Sequence, residues 1–172
     1  MISIKPFLFI MGACSLVSLS GCGGGGLDPN PGNNGPTTIS ARLSGNDFYD
    51  SQTDRYYDIF VADALKTGSA RVAMRSSDFD TQFYVYEKDV DGDYKLIESN
   101  DDASSDTTDS DDSFDITYGN TYRILATSAQ GNQGGYYQIR FSSELTKPAQ
   151  VTTQDQVLAA AKKLALPARL KK

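Results

Sequence analysis

Short runs of alternating apolar and polar residues, separated by turn residues, fill the chain from residue 37 to residue 142. An alternation of period two is typical of strands that bury one face only. The positions predicted to face the core are Ile39, Ala41, Leu43, Tyr57, Ile59, Val61, Ala70, Val72, Met74, Phe83, Val85, Leu96, Ile97, Phe114, Ile116, Tyr122, Ile124, Tyr137, Ile139 and Phe141. The pattern predicts about eight strands in an all-β domain, arranged as an antiparallel β-sandwich or jelly roll.

Helical spacing begins only after Lys147. Thr153 and Gln156 form a capping-box pair, and Pro167 ends the pattern. Between them, Val157, Leu158, Ala161, Leu164 and Ala165 fall on one helical stripe, away from Lys162 and Lys163. Residues 147–172 hold six basic and one acidic residues, hence a net charge of +5. The sequence therefore predicts a basic tail with a short amphipathic helix, which needs a surface to pack against because about three turns are marginal alone.

The amino-terminal segment has the features of a targeting signal. Lys5 precedes an apolar run that is short for a membrane-spanning helix, and small residues follow it. The stretch "LSGC", Leu19 to Cys22, resembles the lipobox of bacterial lipoproteins. That resemblance implies that Cys22 carries a thioether-linked diacylglycerol and an amide-linked third chain such as palmitate. The alternative is an ordinary secretory signal with a spare cysteine.

A tether follows the predicted lipidation site. Residues 23–36, "GGGGLDPNPGNNGP", are too rich in Gly, Pro and Asn to bury apolar area. Residue Gly23 is not the aspartate associated with inner-membrane retention, which favours the outer membrane. The predicted organisation is a signal peptide (1–21), a lipidated tether (22–36), a β-sandwich (37–146) and a basic tail (147–172).

Composition narrows the function. The chain has a net charge of −6 and no His. We expect no nucleic-acid ligand for such a protein, because affinity for phosphate backbones comes from Lys and Arg. The lack of His removes the most frequent general base and the usual Ser-His and Cys-His nucleophile pairs. Both cysteines lie within the first 22 residues, so no disulfide is predicted in the sandwich.

The order of motifs in the strand region resembles the bacterial pre-peptidase C-terminal domain. The matching positions are Gly45, Tyr57, Gly68, Asp80, Asn100-Asp101-Asp102, Gly119 with Tyr122, and Gly135 with Tyr136. The resemblance implies a non-catalytic β-sandwich module of the kind appended to secreted peptidases, some relatives of which bind calcium or insoluble polymers. No peptidase domain precedes the module here, so any action on a peptidase is expected in trans.

One acidic constellation is a candidate calcium site. Asp78 and Asp80 precede one predicted strand, and Asn100, Asp101 and Asp102 follow the next hairpin. Antiparallel pairing of these two strands is expected to bring both groups to the same end of the sandwich, where oxygen ligands suit Ca²⁺. The alternative is that the same side chains bond backbone amides and shape turns without metal.

Two other acidic sets are interpreted without metal. Asp89, Asp91 and Asp93 lie in "DVDGDY", which is typical of a tight hairpin turn. The remaining set, Asp106, Asp109, Asp111 and Asp112, is interpreted as a solvated insertion before a strand at Phe114, because like charges this close repel one another.

Aromatic residues offer a further candidate surface. Tyr56, Tyr84, Tyr86 and Tyr136 lie on strand faces opposite the predicted core positions. Rings on such a second face could stack on sugars or peptides.

We therefore expect a non-catalytic, lipid-anchored protein of the cell envelope that acts as a binding or accessory module and is not an enzyme. One alternative is an external chaperone or inhibitor of a secreted serine protease, with Arg169, Lys171 and Lys172 as the recognition residues of the tail. Another is a polysaccharide-binding module. The expected partners are the membrane, through Cys22, and a secreted peptidase or an extracellular polymer.

Overall fold

A computed structural model describes residues 35–151, and all of its regular structure is β. The ten strands are β1 (Thr37–Leu43), β2 (Phe48–Asp50), β3 (Arg55–Asp63), β4 (Gly68–Arg75), β5 (Thr81–Lys88), β6 (Tyr94–Asn100), β7 (Ser110–Ile116), β8 (Thr121–Ser128), β9 (Gly135–Phe141) and β10 (Ala149–Gln150). Residues 35–151 contain no helix long and apolar enough to cross a membrane. The predicted signal peptide and tail helix lie outside the described residues.

The strands form two antiparallel sheets. One has four strands in the order β1-β9-β4-β7. The other has the order β10-β3-β8-β5-β6, with β2 also paired to β3. The prediction of an antiparallel β-sandwich is confirmed, with two short strands, β2 and β10, that the alternation did not indicate.

The main core lies between the two sheets. The four-stranded sheet contributes fully buried Val72, Met74 and Ile139, and Phe60 of β3 faces Phe141 of β9 with ring centroids 5.5 Å apart. Complete burial of an apolar side chain of this size stabilises the fold by about 1.5–3 kcal/mol. Packing across this layer therefore fixes the two sheets against each other.

The predicted core face of β3 is wrong. Phe60 and Ala62 belong to the main core, whereas Tyr57 and Ile59 belong to a second cluster on the outer face of the six-stranded sheet. Val61 is only partly buried. The error arises because β3 carries apolar side chains on both faces, so its alternation does not tell which face points inward.

The predicted solvated insertion is also shorter than expected. Strand β7 begins at Ser110, and therefore includes Asp111 and Asp112. Asp111 pairs across to Ala73 of β4 and forms a salt bridge with Arg71. The positive charge of Arg71 on β4 compensates the repulsion between the aspartates of β7, which is the repulsion on which the prediction of a loop rested.

Candidate functional site

The structure brings the two groups of the predicted calcium site to one end of the sandwich. Strands β5 and β6 pair antiparallel, with Phe83 opposite Asn100. Asp80 immediately precedes β5, and Asp101 immediately follows β6. The expected placement of these loops is confirmed.

The contacts of these side chains favour turn shaping. Asp78 Oδ2 accepts a hydrogen bond of 2.8 Å from the backbone N–H of Tyr136. Asn100 Oδ1 accepts one of 2.9 Å from the N–H of Asp111, and its Nδ2 donates to the carbonyl of Asp102 at 3.1 Å. Within residues 35–151 no three His, Cys, Asp or Glu residues are grouped so as to hold a metal ion. Calcium binding stays a prediction.

The hairpin between β5 and β6 is a turn, as predicted. Asp89 Oδ1 accepts hydrogen bonds from the backbone N–H of Asp91 at 3.0 Å and of Asp93 at 2.8 Å. Gly92 has φ 87°, a conformation that glycine adopts without steric cost. The carboxylate of Asp89 is thus used to close the turn.

Most of the predicted aromatic surface is covered. Tyr84 and Tyr86 are 5% and 1% exposed, so the prediction that they form a stacking face is wrong. Tyr56 is partly buried against the main core. Tyr136 is 67% exposed, and it is the member of this set whose ring a ligand can reach.

Four exposed arginines lie on the outer face of the four-stranded sheet, and we call this surface the arginine face: Arg42 of β1, Arg71 and Arg75 of β4, and Arg140 of β9. They alternate with buried residues, because successive side chains of a strand point to opposite faces. Burial of the core residues on one side therefore places the guanidinium groups together on the other.

A shallow concavity lies at the centre of the arginine face. Ala73 pairs with Arg140 on one side and with Asp111 on the other. Arg71 and Arg75 are two residues away on the same strand, so three arginines surround one small side chain. The resulting hollow has a volume of about 440 Å³.

The arginines differ in their partners. Arg71 donates to both carboxylate oxygens of Asp111, from Nε and from Nη2, each at 2.6 Å. Arg75 Nε lies 3.6 Å from Asp109, and the Arg75 side chain is 74% exposed. Arg140 has no ion-pair partner among residues 35–151, which leaves its five N–H donors open to a ligand.

A second concavity adjoins the first. It measures about 690 Å³ and is lined by Arg42, Arg75, Tyr136 and Gln138 among others. Arg75 and Gln138 also line the hollow around Ala73, so the two concavities adjoin and together span β1, β9 and β4. The Arg42 guanidinium lies 5.2 Å from the centroid of the Tyr136 ring, where cation and π-system attract each other.

Sequence reasoning missed this surface although a signal was present. Arg42, Arg71 and Arg140 each stand between two residues that the alternation assigned to the core. That position marks them as outward-facing. The sequence pattern does not reveal that β9 lies between β1 and β4, which is what brings the arginines together.

The remaining predicted site residues are not placed. Cys22 lies outside the described residues, and so do Arg169, Lys171 and Lys172 of the proposed protease-binding end. Their assignments stay predictions from the sequence.

Of the comparisons with known proteins, the one with solved structures found a similarity. No family model matches the chain, and no curated protein matches it. Among solved structures, the chain is similar to the mitogen derived from Yersinia pseudotuberculosis, at 10% sequence identity and a TM-score of 0.47. The alignment covers 69% of this chain and 99% of that one.

Proposed function

We propose that this chain is a non-catalytic, lipid-anchored protein of the cell envelope that binds an acidic extracellular polymer through its arginine face. The observation that carries the proposal is a concentration of charge. Residues 37–146 hold nine basic and twenty acidic residues, and four of the nine lie on this one sheet face. Arg71 and Arg75 are paired with Asp111 and Asp109, whereas Arg42 and Arg140 have no salt bridge within residues 35–151, so these two leave positive charge available for an anion.

The shape of the face suits an extended chain. Its two adjoining concavities share Arg75 and Gln138 and together span β1, β9 and β4. Arginine matches the geometry of a carboxylate, which it binds with two parallel hydrogen bonds. Exposed Tyr136 adds a ring on which a sugar can stack. These features together fit a polysaccharide that bears carboxylates.

The first prediction tests the arginine face with polygalacturonate as the probe. We expect binding that weakens as salt is raised, and Arg140→Ala is expected to weaken it about three- to tenfold, since one charge-assisted contact is lost. Lys95→Ala is the matched control, because Lys95 is an exposed cation on the other sheet. Isothermal titration calorimetry at two salt concentrations measures the effect.

Methyl-esterified polygalacturonate serves as the ligand control, because it keeps the sugar chain and removes the charge. Equal binding of the two polymers would contradict recognition of carboxylates. An Arg140→Ala variant that binds like the unsubstituted protein would place the site elsewhere.

The second prediction tests the anchor. Cys22→Ser is expected to abolish incorporation of labelled palmitate and to move the protein from the membrane pellet to the soluble fraction. The physical reason is that each buried CH₂ of a lipid chain contributes about 0.8 kcal/mol to membrane binding. Cys14→Ser, within the apolar run of the signal, should leave labelling unchanged. Labelling that survives in Cys22→Ser would refute the lipobox assignment.

A further inference from the structure

A second apolar cluster lies on the outer face of the six-stranded sheet, away from the arginine face. Its members and their exposed fractions are Tyr57 (3%), Ile59 (1%), Tyr84 (5%), Tyr86 (1%) and Leu125 (1%). Ile59 of β3 and Tyr84 of β5 both pair with Leu125 of β8, so the cluster crosses three neighbouring strands. Outer side chains of a sheet stand toward solvent, and such low exposure requires a layer over them.

The described residues supply only the border of that layer. All ten strands belong to the two sheets, and none of them crosses this face. Between residues 35 and 151, the apolar side chains that pack against the cluster are Phe48, Tyr94, Leu96 and Val151. The Tyr86 hydroxyl is buried and has no hydrogen-bond partner within this part of the chain. A buried hydroxyl of this kind normally finds a partner in whatever covers it.

The end of the described chain points to the occupant. Val151 is the last described residue, it packs against the cluster, and its N–H donates to the Ile59 carbonyl at 2.8 Å. A further 21 residues follow it, from residue 152 to Lys172. The covalent connection therefore brings the start of this segment to the edge of the cluster.

The sequence of that segment is complementary to the cluster. Its apolar stripe contains Val157, Leu158, Ala161, Leu164 and Ala165. At about 1.5 Å per residue, a helical stretch over these positions is about 13 Å long, and its diameter of about 10 Å matches the roughly 10 Å spanned by three strands. Residues 152–172 hold five basic and one acidic residues, and their net charge of +4 opposes the net charge of −11 of residues 37–146.

We propose that residues 152–172 fold back over the second apolar cluster and form the missing outer layer of the six-stranded sheet. The occupant is thus this chain's own carboxy-terminal segment, and the surface it covers is the one formed by Tyr57, Ile59, Tyr84, Tyr86 and Leu125. This inference does not depend on the proposed polymer binding, which concerns the opposite sheet.

The third prediction introduces a charge into the apolar stripe of the full chain. Leu158→Asp is expected to expose the cluster, giving a several-fold rise in the fluorescence of a dye that binds apolar surface and faster acrylamide quenching of tyrosine emission. Ala159→Asp is the matched control, since it makes the same change of charge at a position off the stripe and should leave both signals unchanged. Similar signals from the two variants and the unsubstituted chain would overturn the proposal.

A second measurement keeps the test independent of folding defects. A chain ending at Val151 should bind the dye, and a synthetic peptide of residues 152–172 should suppress that binding in a saturable manner. A truncated chain that shows no dye binding and no affinity for the peptide would overturn the proposal. The proposal would also be overturned if the full chain buried the cluster only as a dimer. In that case the full chain would bind the dye at protein concentrations where it is a monomer and not at concentrations where it is a dimer.

Discussion

Gly135→Ala is expected to lower the free energy of unfolding by about 3 kcal/mol, which is a large share of the stability of a domain of this size. Gly135 has φ 153°, a backbone conformation that residues with a Cβ rarely adopt. A Cβ at this position would lie 2.4 Å from Asp78 Cβ and 2.6 Å from Asp78 Oδ2. Backbone strain and overpacking each cost about 1–3 kcal/mol.

The clash cannot be relieved by a small side-chain movement. Asp78 Cβ is attached directly to the backbone, and Oδ2 accepts the N–H of Tyr136. Moving Asp78 away would therefore break the bond that joins its loop to the start of β9. We expect Asp78→Gly to reduce the penalty of Gly135→Ala in the double variant, because it removes the clashing Cβ.

Chemical denaturation of five proteins measures this effect: the unsubstituted chain, Gly135→Ala, Asp78→Gly, the double variant, and a control. Gly45→Ala is the control, since a Cβ there meets nothing within 4 Å. Equal stability of Gly135→Ala and Gly45→Ala would show that the close approach to Asp78 is not real. Purely additive effects in the double variant would show that the two residues do not interact.

The alternation predicted the core face of most strands correctly and that of β3 wrongly. In β4 and β9 the apolar positions alternate with polar ones, and the structure buries the predicted set. In β3, β5 and β8 apolar residues stand on both faces, because these strands lie inside a sheet with one cluster on each side. The predicted core positions of β5 and β8 are nevertheless correct, and only those of β3 are wrong. The period of two then marks a strand without giving its orientation.

The candidate site is formed by residues that are far apart in the sequence. The local pattern of apolar and polar residues does not show which strands pair and bring them together. Arg71 and Arg140 are 69 positions apart, and they line the same hollow because Ala73 pairs with Arg140. The alternation predicted that both side chains point outward, but strand order is set by long-range packing. The same reason explains the misreading of Asp111, whose charge is compensated by Arg71 on a strand 40 residues earlier.

A buried carboxylate in the main core should make the stability of the domain fall as pH rises. Asp58 of β3 is 5% exposed, and burial raises its pKa from 3.8 to about 6. Hydrogen bonds from the Tyr137 hydroxyl to Oδ2 at 2.6 Å and from Gln150 Nε2 to Oδ1 at 2.8 Å partly offset that shift. The native state therefore holds a proton on Asp58 between pH 4 and pH 6 that the unfolded chain has released.

The sign and size of the effect follow from this linkage. Because the pKa is higher in the folded state, the stabilisation from the protonated form is complete below about pH 4 and is lost as pH rises through about 6. A difference of this size corresponds to about 3 kcal/mol between pH 4 and pH 8. Acidic residues whose pKa is lowered, such as Glu144 with its hydrogen bond to Ser142, make the domain more stable as pH rises. The measurement must therefore separate the effect of Asp58 from theirs.

The Asp58→Asn variant isolates the pH-dependent contribution of Asp58, because the amide has nearly the same shape as the carboxyl group and never ionises. Its Oδ1 can accept from Tyr137, and Gln150 can turn its own amide so that it accepts from the new Nδ2. We expect the variant to be about 3 kcal/mol more stable than the unsubstituted chain at pH 8 and equal to it near pH 4. Urea denaturation at intervals of pH measures the difference, and Asp115→Asn, which removes an exposed carboxylate of β7, controls for net charge. A constant offset between Asp58→Asn and the unsubstituted chain at every pH would mean that Asp58 keeps an ordinary pKa, and that Tyr137 and Gln150 stabilise its charge fully in the core.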